Sequence, residues 1–161
     1  MNIEVISLAL RNGSNIVVGQ SHFIKTVEDI GEIMASSVPN AKWGLAFNEA
    51  SGPCLVRSEG NDSTLVSDAV SFAKSVGAGH AFFLVIGPGA YPINVLDRIK
   101  ACPEVCGIFA ATANRLEILV ARTDQGAGII GVIDGGSPKG VEGDVEKAER
   151  KTMLRKFGYK F

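Results

Sequence analysis

Residues 81–113 read AFFLVIGPGAYPINVLDRIKACPEVCGIFAATA. The first six, Ala81 to Ile86, are apolar without alternation, the pattern of a strand covered on both faces. Gly87-Pro-Gly-Ala-Tyr-Pro92 is a turn, and Pro92 suits the first position of a helix over Ile93 to Ala101. Cys106 to Ala113 reads as the next strand. Strand, helix and strand at this spacing predict a right-handed βαβ crossover.

Outward from this unit, the N-terminal side begins with a strand over Asn2 to Leu10. A turn at Arg11-Asn-Gly-Ser follows, then a second strand over Asn15 to Phe23, so the pair predicts a hairpin. Thr26 to Ser37 is an amphipathic helix with Val27, Ile30, Ile33 and Met34 on one stripe. Thr26 as N-cap with Asp29 three residues on resembles a capping box. Trp43 to Phe47 and Leu55 to Glu59 are short strands around Ala-Ser-Gly-Pro. Asn61-Asp-Ser opens a helix to Val76, whose inner face is Leu65, Ala69, Phe72 and Val76. Gly77-Ala-Gly79 ends it. On the C-terminal side, Asn114-Arg115 turns the chain into an antiparallel strand over Leu116 to Arg122. Gly128 to Ile133 is a last strand, and a charged helix runs from Asp144 to Phe157. The sum is an α+β protein: a mixed β-sheet with three to four helices, one compact domain over residues 1–161 with no repeat and no linker.

The chain has 161 residues, net charge −1, 46% hydrophobic and 20% charged residues, and 19 glycines. That composition is globular and lacks a basic field for nucleic acid or anionic lipid. The N-terminus has an early acid and no basic segment, so it does not read as a signal peptide, and no apolar run spans a bilayer. Cys54, Cys102 and Cys106 are an odd set, expected as reduced thiols in a cytoplasmic protein. Cys102 and Cys106 have no second pair and no nearby histidine, which argues against zinc. The basic residues of the last helix follow its acids, as the helix dipole favours, so a solvated face or subunit contact is expected there rather than nucleic acid.

There are two histidines. His22 stands where the second strand ends, in Gly19-Gln-Ser-His-Phe-Ile-Lys25. Its imidazole titrates near neutrality and can act as base or nucleophile, or it is a solvated strand-end residue. Glu28 and Asp29 occupy the positive pole of the following helix, so a phosphoryl group there needs Lys25 or another cation. His80 precedes the buried strand, at the end opposite to where ligands gather in parallel sheets, and reads equally as a group bonded to a helix end. The turn from Gly87 to Pro92 follows a buried strand and opens an acid-free helical turn, which suits either an anion or a plain tight turn. Asp134-Gly-Gly-Ser-Pro-Lys139-Gly140 reads as a closing loop with a cation or as an idle surface loop. Asn114 is a turn residue or a base-reading amide.

The stretches GQSHFIKTVEDI, GAGH, YPINVLDRI, CPEVCGIFAATAN and GIIGVIDGGSPKGVE together resemble the adenosine-specific kinase family, across nearly the whole chain. The resemblance implies binding of adenosine, AMP and ATP and phosphoryl transfer to adenosine, through or beside a phosphohistidine. A non-catalytic adenosine or AMP sensor is the alternative. It implies His22, Lys25 and His80 as catalytic residues, with His22 favoured. Tyr91, Pro92, Asn94, Asn114, Asp134 and Lys139 are the implied ligand contacts, with Asn94 and Asn114 toward adenine or ribose and Asp134 as a base. It leaves open the donor, ATP or another, and any Mg2+. No metal site, no membrane and no nucleic-acid partner are expected, and the family's homo-oligomers suggest a trimer or hexamer.

Overall fold

The computed structural model describes residues 1–161. Eight strands and four α-helices follow one another as β1 (Asn2–Leu8), β2 (Asn15–Ser21), α1 (Thr26–Ser37), β3 (Trp43–Asn48), β4 (Val56–Gly60), α2 (Ser63–Val76), β5 (Ala81–Ile86), α3 (Leu96–Lys100), β6 (Val105–Thr112), β7 (Leu116–Arg122), β8 (Ala127–Asp134) and α4 (Asp144–Lys156). A 3-10 turn at Pro92–Asn94 precedes α3. The strands form a five-stranded sheet, β4-β3-β5-β2-β6, and a three-stranded sheet, β1-β7-β8.

The expected α+β class holds, with two corrections. The strands form two sheets, and every ladder is antiparallel rather than mixed. The crossover from β5 through α3 to β6 exists, but β2 lies between the two strands and pairs antiparallel with both. The expected β1–β2 hairpin does not form. The turn is there, with the Ser14 N–H donating to the Arg11 carbonyl at 3.0 Å. Yet β5 and β6 take both edges of β2, so β1 goes to β7 instead. The cause is hydropathy: β2 is buried along nearly all its length, whereas β1 is exposed on alternate residues.

The five-stranded sheet is covered on both faces. Against one face, α1 and α3 pack Val27, Ile30, Met34 and Ile99, with Val95 just before α3, on Val17, Leu45, Phe82, Leu84 and Ile86. Against the other, α2 contributes Leu65, Ala69, Phe72 and Val76, and the three-stranded sheet contributes Leu116, Ile118 and Val120. Gly44 sets the approach of α2, since a Cβ there would lie 2.2 Å from the Leu65 backbone. Asp62 caps α2 by accepting from the Thr64 and Leu65 amides at 3.0 and 3.1 Å. At its other end Gly77 takes a left-handed φ of 65° and donates to Ala73, a C-cap that glycine adopts without a Cβ clash.

The start of α1 corrects the expected capping box. Lys25, not Thr26, holds the cap position, in helical geometry and without a side-chain cap bond. Thr26 is fully buried as the first helical residue, and its hydroxyl donates to the Phe23 carbonyl at 2.7 Å and shares a 2.6 Å bond with the Ser21 hydroxyl. The first helical amides bond to carbonyls three residues back, from Phe23, Ile24 and Lys25. Asp29 instead forms an ion pair with Lys25.

Candidate functional site

Antiparallel pairing places the carboxyl end of β2 beside the amino end of β5. The Ser21 N–H donates to the His80 carbonyl at 3.0 Å, the bond that continues the Gln20–Ala81 pair. His22 and His80 therefore flank one junction at one end of the sheet. The objection that His80 lies at the wrong end of its strand applies to parallel sheets, and this sheet is antiparallel.

His80 is held in an unusual way. Its φ is +61°, and only one other non-glycine residue, Cys54, shares a positive φ. That conformation costs an L-residue roughly 1–2 kcal/mol and persists where surrounding contacts fix it. Two contacts do so here. The His80 N–H donates to the Asn48 carbonyl at 2.7 Å, and the ring stacks on the fully buried Phe47, 5.7 Å between centroids with planes 16° apart. The imidazole is half-buried. Phe47 belongs to the α1 face of the sheet, so the His80 ring lies on the face where α1 begins.

His22 is exposed and stacks on the exposed Phe23 ring at 6.4 Å and 15°. Its N–H donates to the Glu104 carbonyl at 2.9 Å. The Glu104 side chain is only 3% exposed, and its Oε1 has no hydrogen-bond partner. Burial pushes its carboxyl above the usual range, and the facing Asp29 carboxyl adds to that. Asp29 is held low by its bond from Lys25, with Glu104 contributing as a donor. The neighbouring carboxyls are thus shifted in opposite directions, Glu104 up and Asp29 down, at the residue whose carbonyl holds the His22 amide. Lys25 is engaged with Asp29 rather than standing as a free cation, and this bond raises its own ammonium.

The other expected residues lie elsewhere. Ile16 of β2 pairs with Thr112, while Ser21 pairs with Val105. The Thr112 end of β6 is thus about 17 Å from the histidine end at 3.3 Å per residue. Asn114 and Asp134 meet there. The Asn114 side-chain N–H and the Thr112 hydroxyl both donate to Asp134 Oδ1, at 3.0 and 2.7 Å. Asn114 also lines a pocket of about 480 Å3 with Arg11, Asn12 and Gly13. Tyr91, Pro92 and Asn94 follow the carboxyl end of β5, at this same end. Asn94 Oδ1 accepts from the Tyr91 N–H at 2.9 Å, and the Gly87 N–H donates to the Lys42 carbonyl at 2.8 Å. The Gly87 and Tyr91 amides are therefore already engaged, one with the segment before β3 and one within the turn. Lys139 is exposed on the loop between β8 and α4.

Sequence reasoning missed one feature of the histidine end. A cleft of about 690 Å3 lies between the β3–β4 turn, the end of α2 and the β7–β8 turn, with Glu49, Lys74, Gly79, Thr123 and Gln125 on its wall. Its size is that of small-molecule sites. It is on the α2 face of β3, opposite the His80 ring, because Asn48 turns its amide toward the Ala73 and Ala78 carbonyls at 2.9 and 3.0 Å. Three distant segments build it, and the Gly77-Ala-Gly79 turn was the only local sign. Cys54, Cys102 and Cys106 are free thiols, and no group of three or more His, Cys, Asp or Glu side chains is arranged to hold a metal ion. No helix is long and apolar enough to cross a membrane.

The crystal structure of the PH1918 protein from Pyrococcus horikoshii OT3 superposes with a TM-score of 0.94 at 41% identity, covering 99% of this chain and 98% of that one. No curated protein matches the chain. The family model described as adenosine specific kinase matches residues 6–160, which is nearly the whole sequence, and the chain belongs to that family.

Proposed function

We propose that the chain binds adenosine and transfers a phosphoryl group to it through a phosphohistidine at the histidine end of the sheet. The observation that carries this reading is the backbone bond from the Ser21 N–H to the His80 carbonyl, which puts His80 across one strand junction from the residue that precedes His22. One ring serves as nucleophile and the other as base. A ring nitrogen forms a P–N bond as the donor's P–O bond breaks. That P–N bond then breaks as a P–O bond forms to the adenosine 5′ oxygen, and the hydroxyl proton passes to the second imidazole. A phosphoramidate needs shelter from water. His80 is half-buried and fixed on Phe47, whereas His22 is exposed in the single chain. We therefore assign the phosphoryl carrier to His80 and the base to His22, the reverse of the order the sequence motif favoured. Phe23 offers an apolar ring for stacking a purine.

Tyr91, Pro92, Asn94, Asn114, Asp134 and Lys139 serve a nucleotide at His80 only if a second copy brings its far end to this one, since about 17 Å of strand separates the two groups in one chain. A homo-oligomer is accordingly part of the reading, as are a cytoplasmic setting and ATP as donor.

The test is turnover of ATP and adenosine by the purified chain, with acid-labile label followed on the protein. Steady AMP formation, and label that is lost in His80→Ala, supports the kinase reading. Tight adenosine binding with neither turnover nor label favours the sensor.

A further inference from the structure

Asn48, the last residue of β3, is a buried amide, 7% exposed. Burying an amide is costly unless it is bonded, and this one is. Its Nδ2 donates to the Ala73 carbonyl at 2.9 Å and to the Ala78 carbonyl at 3.0 Å. Only an NH2 group serves two carbonyls in this way, so the orientation of the amide is fixed. Ala73 lies in the last turn of α2, where its carbonyl also accepts from the Gly77 N–H at 2.9 Å. Ala78 begins the turn that carries His80, which the Ala81 N–H closes by donating to the Ala78 carbonyl at 3.3 Å. His80 is the third residue of that turn. Its φ is positive and that of Gly79 is not, the sign pattern of a type II turn, whose third position favours glycine or asparagine. The glycine stands one place earlier because a Cβ on Gly79 would lie 2.9 Å from the Ala50 side chain.

The main chain of Asn48 acts on the same turn. Its carbonyl accepts from the His80 N–H at 2.7 Å, while the Ser21 N–H donates to the His80 carbonyl at 3.0 Å. Both backbone polar groups of His80 are thus engaged, one of them by Asn48, whose amide also holds the first residue of the turn. Successive side chains of a strand point to opposite faces. Phe47 therefore carries the His80 ring on the α1 face, and Asn48 ties the turn from the α2 face.

We infer that Asn48 is a positioning residue for His80, holding with its amide and its carbonyl the turn that lays the imidazole on Phe47. The consequence for turnover rests on the reading of His80 as phosphoryl carrier; the placement of the ring does not. Without the amide, the Ala78 carbonyl loses a donor and the strained φ of His80 can relax. The ring then leaves Phe47, and a reacting group misplaced by about 1 Å loses on the order of 100-fold in rate.

The test uses the full chain. Asn48→Ala deletes both donors and Asn48→Ser keeps one, while the backbone carbonyl stays in each. In Asn48→Ala the His80 ring resonances should move toward those of a free imidazole, and those of His22 should stay. Labelling of the protein and AMP formation should slow by about 100-fold, with the KM for adenosine little changed. Asn48→Ser should lie between Asn48→Ala and the wild type. Unchanged His80 resonances in Asn48→Ala overturn the positioning role whatever the turnover. So does a general lesion, in which both histidines and the KM shift together. A displaced His80 ring with wild-type rates overturns the role in transfer. If the wild type transfers no phosphoryl group, the His80 resonances still decide the placement and only the kinase reading falls. Should neither variant fold, hydrogen exchange on the wild type decides. The His80 amide should then exchange as slowly as the core amides of β5, and exchange at the rate of an open turn overturns the proposal.

Discussion

The carbonyl of His80 accepts the amide proton of Ser21 at 3.0 Å. That backbone bond sets His80 across one strand junction from the residue before His22, and it continues the antiparallel register of β2 and β5. Two histidines far apart in sequence thus share one local frame, whose rigidity comes from a sheet buried on both faces. The frame is asymmetric: one ring is stacked on core Phe47 and the other is in solvent.

From this asymmetry the two alanine variants should behave differently. His80→Ala should abolish both the acid-labile label and AMP formation. His22→Ala should retain the label and slow AMP formation by roughly 10²–10⁴, the usual contribution of a general base. Equal loss of label in both would remove the division of roles.

His80 also stores backbone strain. His80→Gly accepts a φ of 61° freely, while His80→Ala keeps the strain, and both lose the ring stack on Phe47. The glycine variant should be more stable than the alanine variant by about 1 kcal/mol in chemical denaturation, with both inactive. Identical midpoints would mean that the loop relaxes in the alanine variant.

Which parts of this were legible in sequence follows from how far apart the decisive contacts lie. The helix over Thr26–Ser37 was readable because its stripe is local, although its cap was not, and the run at Ala81–Ile86 announced a central strand by apolarity alone. The neighbours of β2 were not readable. Arg11–Ser14 makes the turn of a hairpin, but what forbids the hairpin is competition from β5 and β6 for the edges of β2. The Lys25–Asp29–Glu104 cluster was invisible for the same reason, since Glu104 reaches α1 only through the pairing of Val105 with Ser21. The strand-end objection to His80 presumed a parallel sheet, because the direction of a strand's neighbours is not written in the strand itself.

Gly44 is a second test of the packing argument. A methyl group there would meet the backbone of Leu65 and Val66 at 2.2 Å, and a helix axis cannot yield as a side chain does. Gly44→Ala should destabilise by roughly 1–3 kcal/mol or more through displacement of α2, read as a lower denaturation midpoint. Gly107→Ala, with nothing within 4 Å of its would-be Cβ, is the control and should move the midpoint little.

The last prediction concerns the Glu104 carboxyl, at the residue whose carbonyl accepts from the His22 N–H. Glu104 is buried and its carboxyl is raised above 4.5, so the folded protein binds its proton more tightly than the unfolded chain. Its contribution to stability is fully present below pH 4.5 and is lost as pH rises through the raised folded value. Asp29 runs the other way: lowered from 3.8, chiefly by Lys25, it contributes above that pH and loses as pH falls. The two windows adjoin without overlapping. Glu104→Gln keeps a donor toward Asp29 at every pH and cannot ionise. Relative to the wild type its melting temperature should therefore be close to equal below pH 4.5 and should climb above it as pH rises toward neutrality. Parallel melting curves across that range would show that Glu104 ionises in the folded chain as it does in the unfolded one, and that no proton is shared with Asp29. Because the Glu104 carbonyl also holds the His22 amide, the same titration should appear in the His22 ring resonances of the wild type and be absent from those of the glutamine variant.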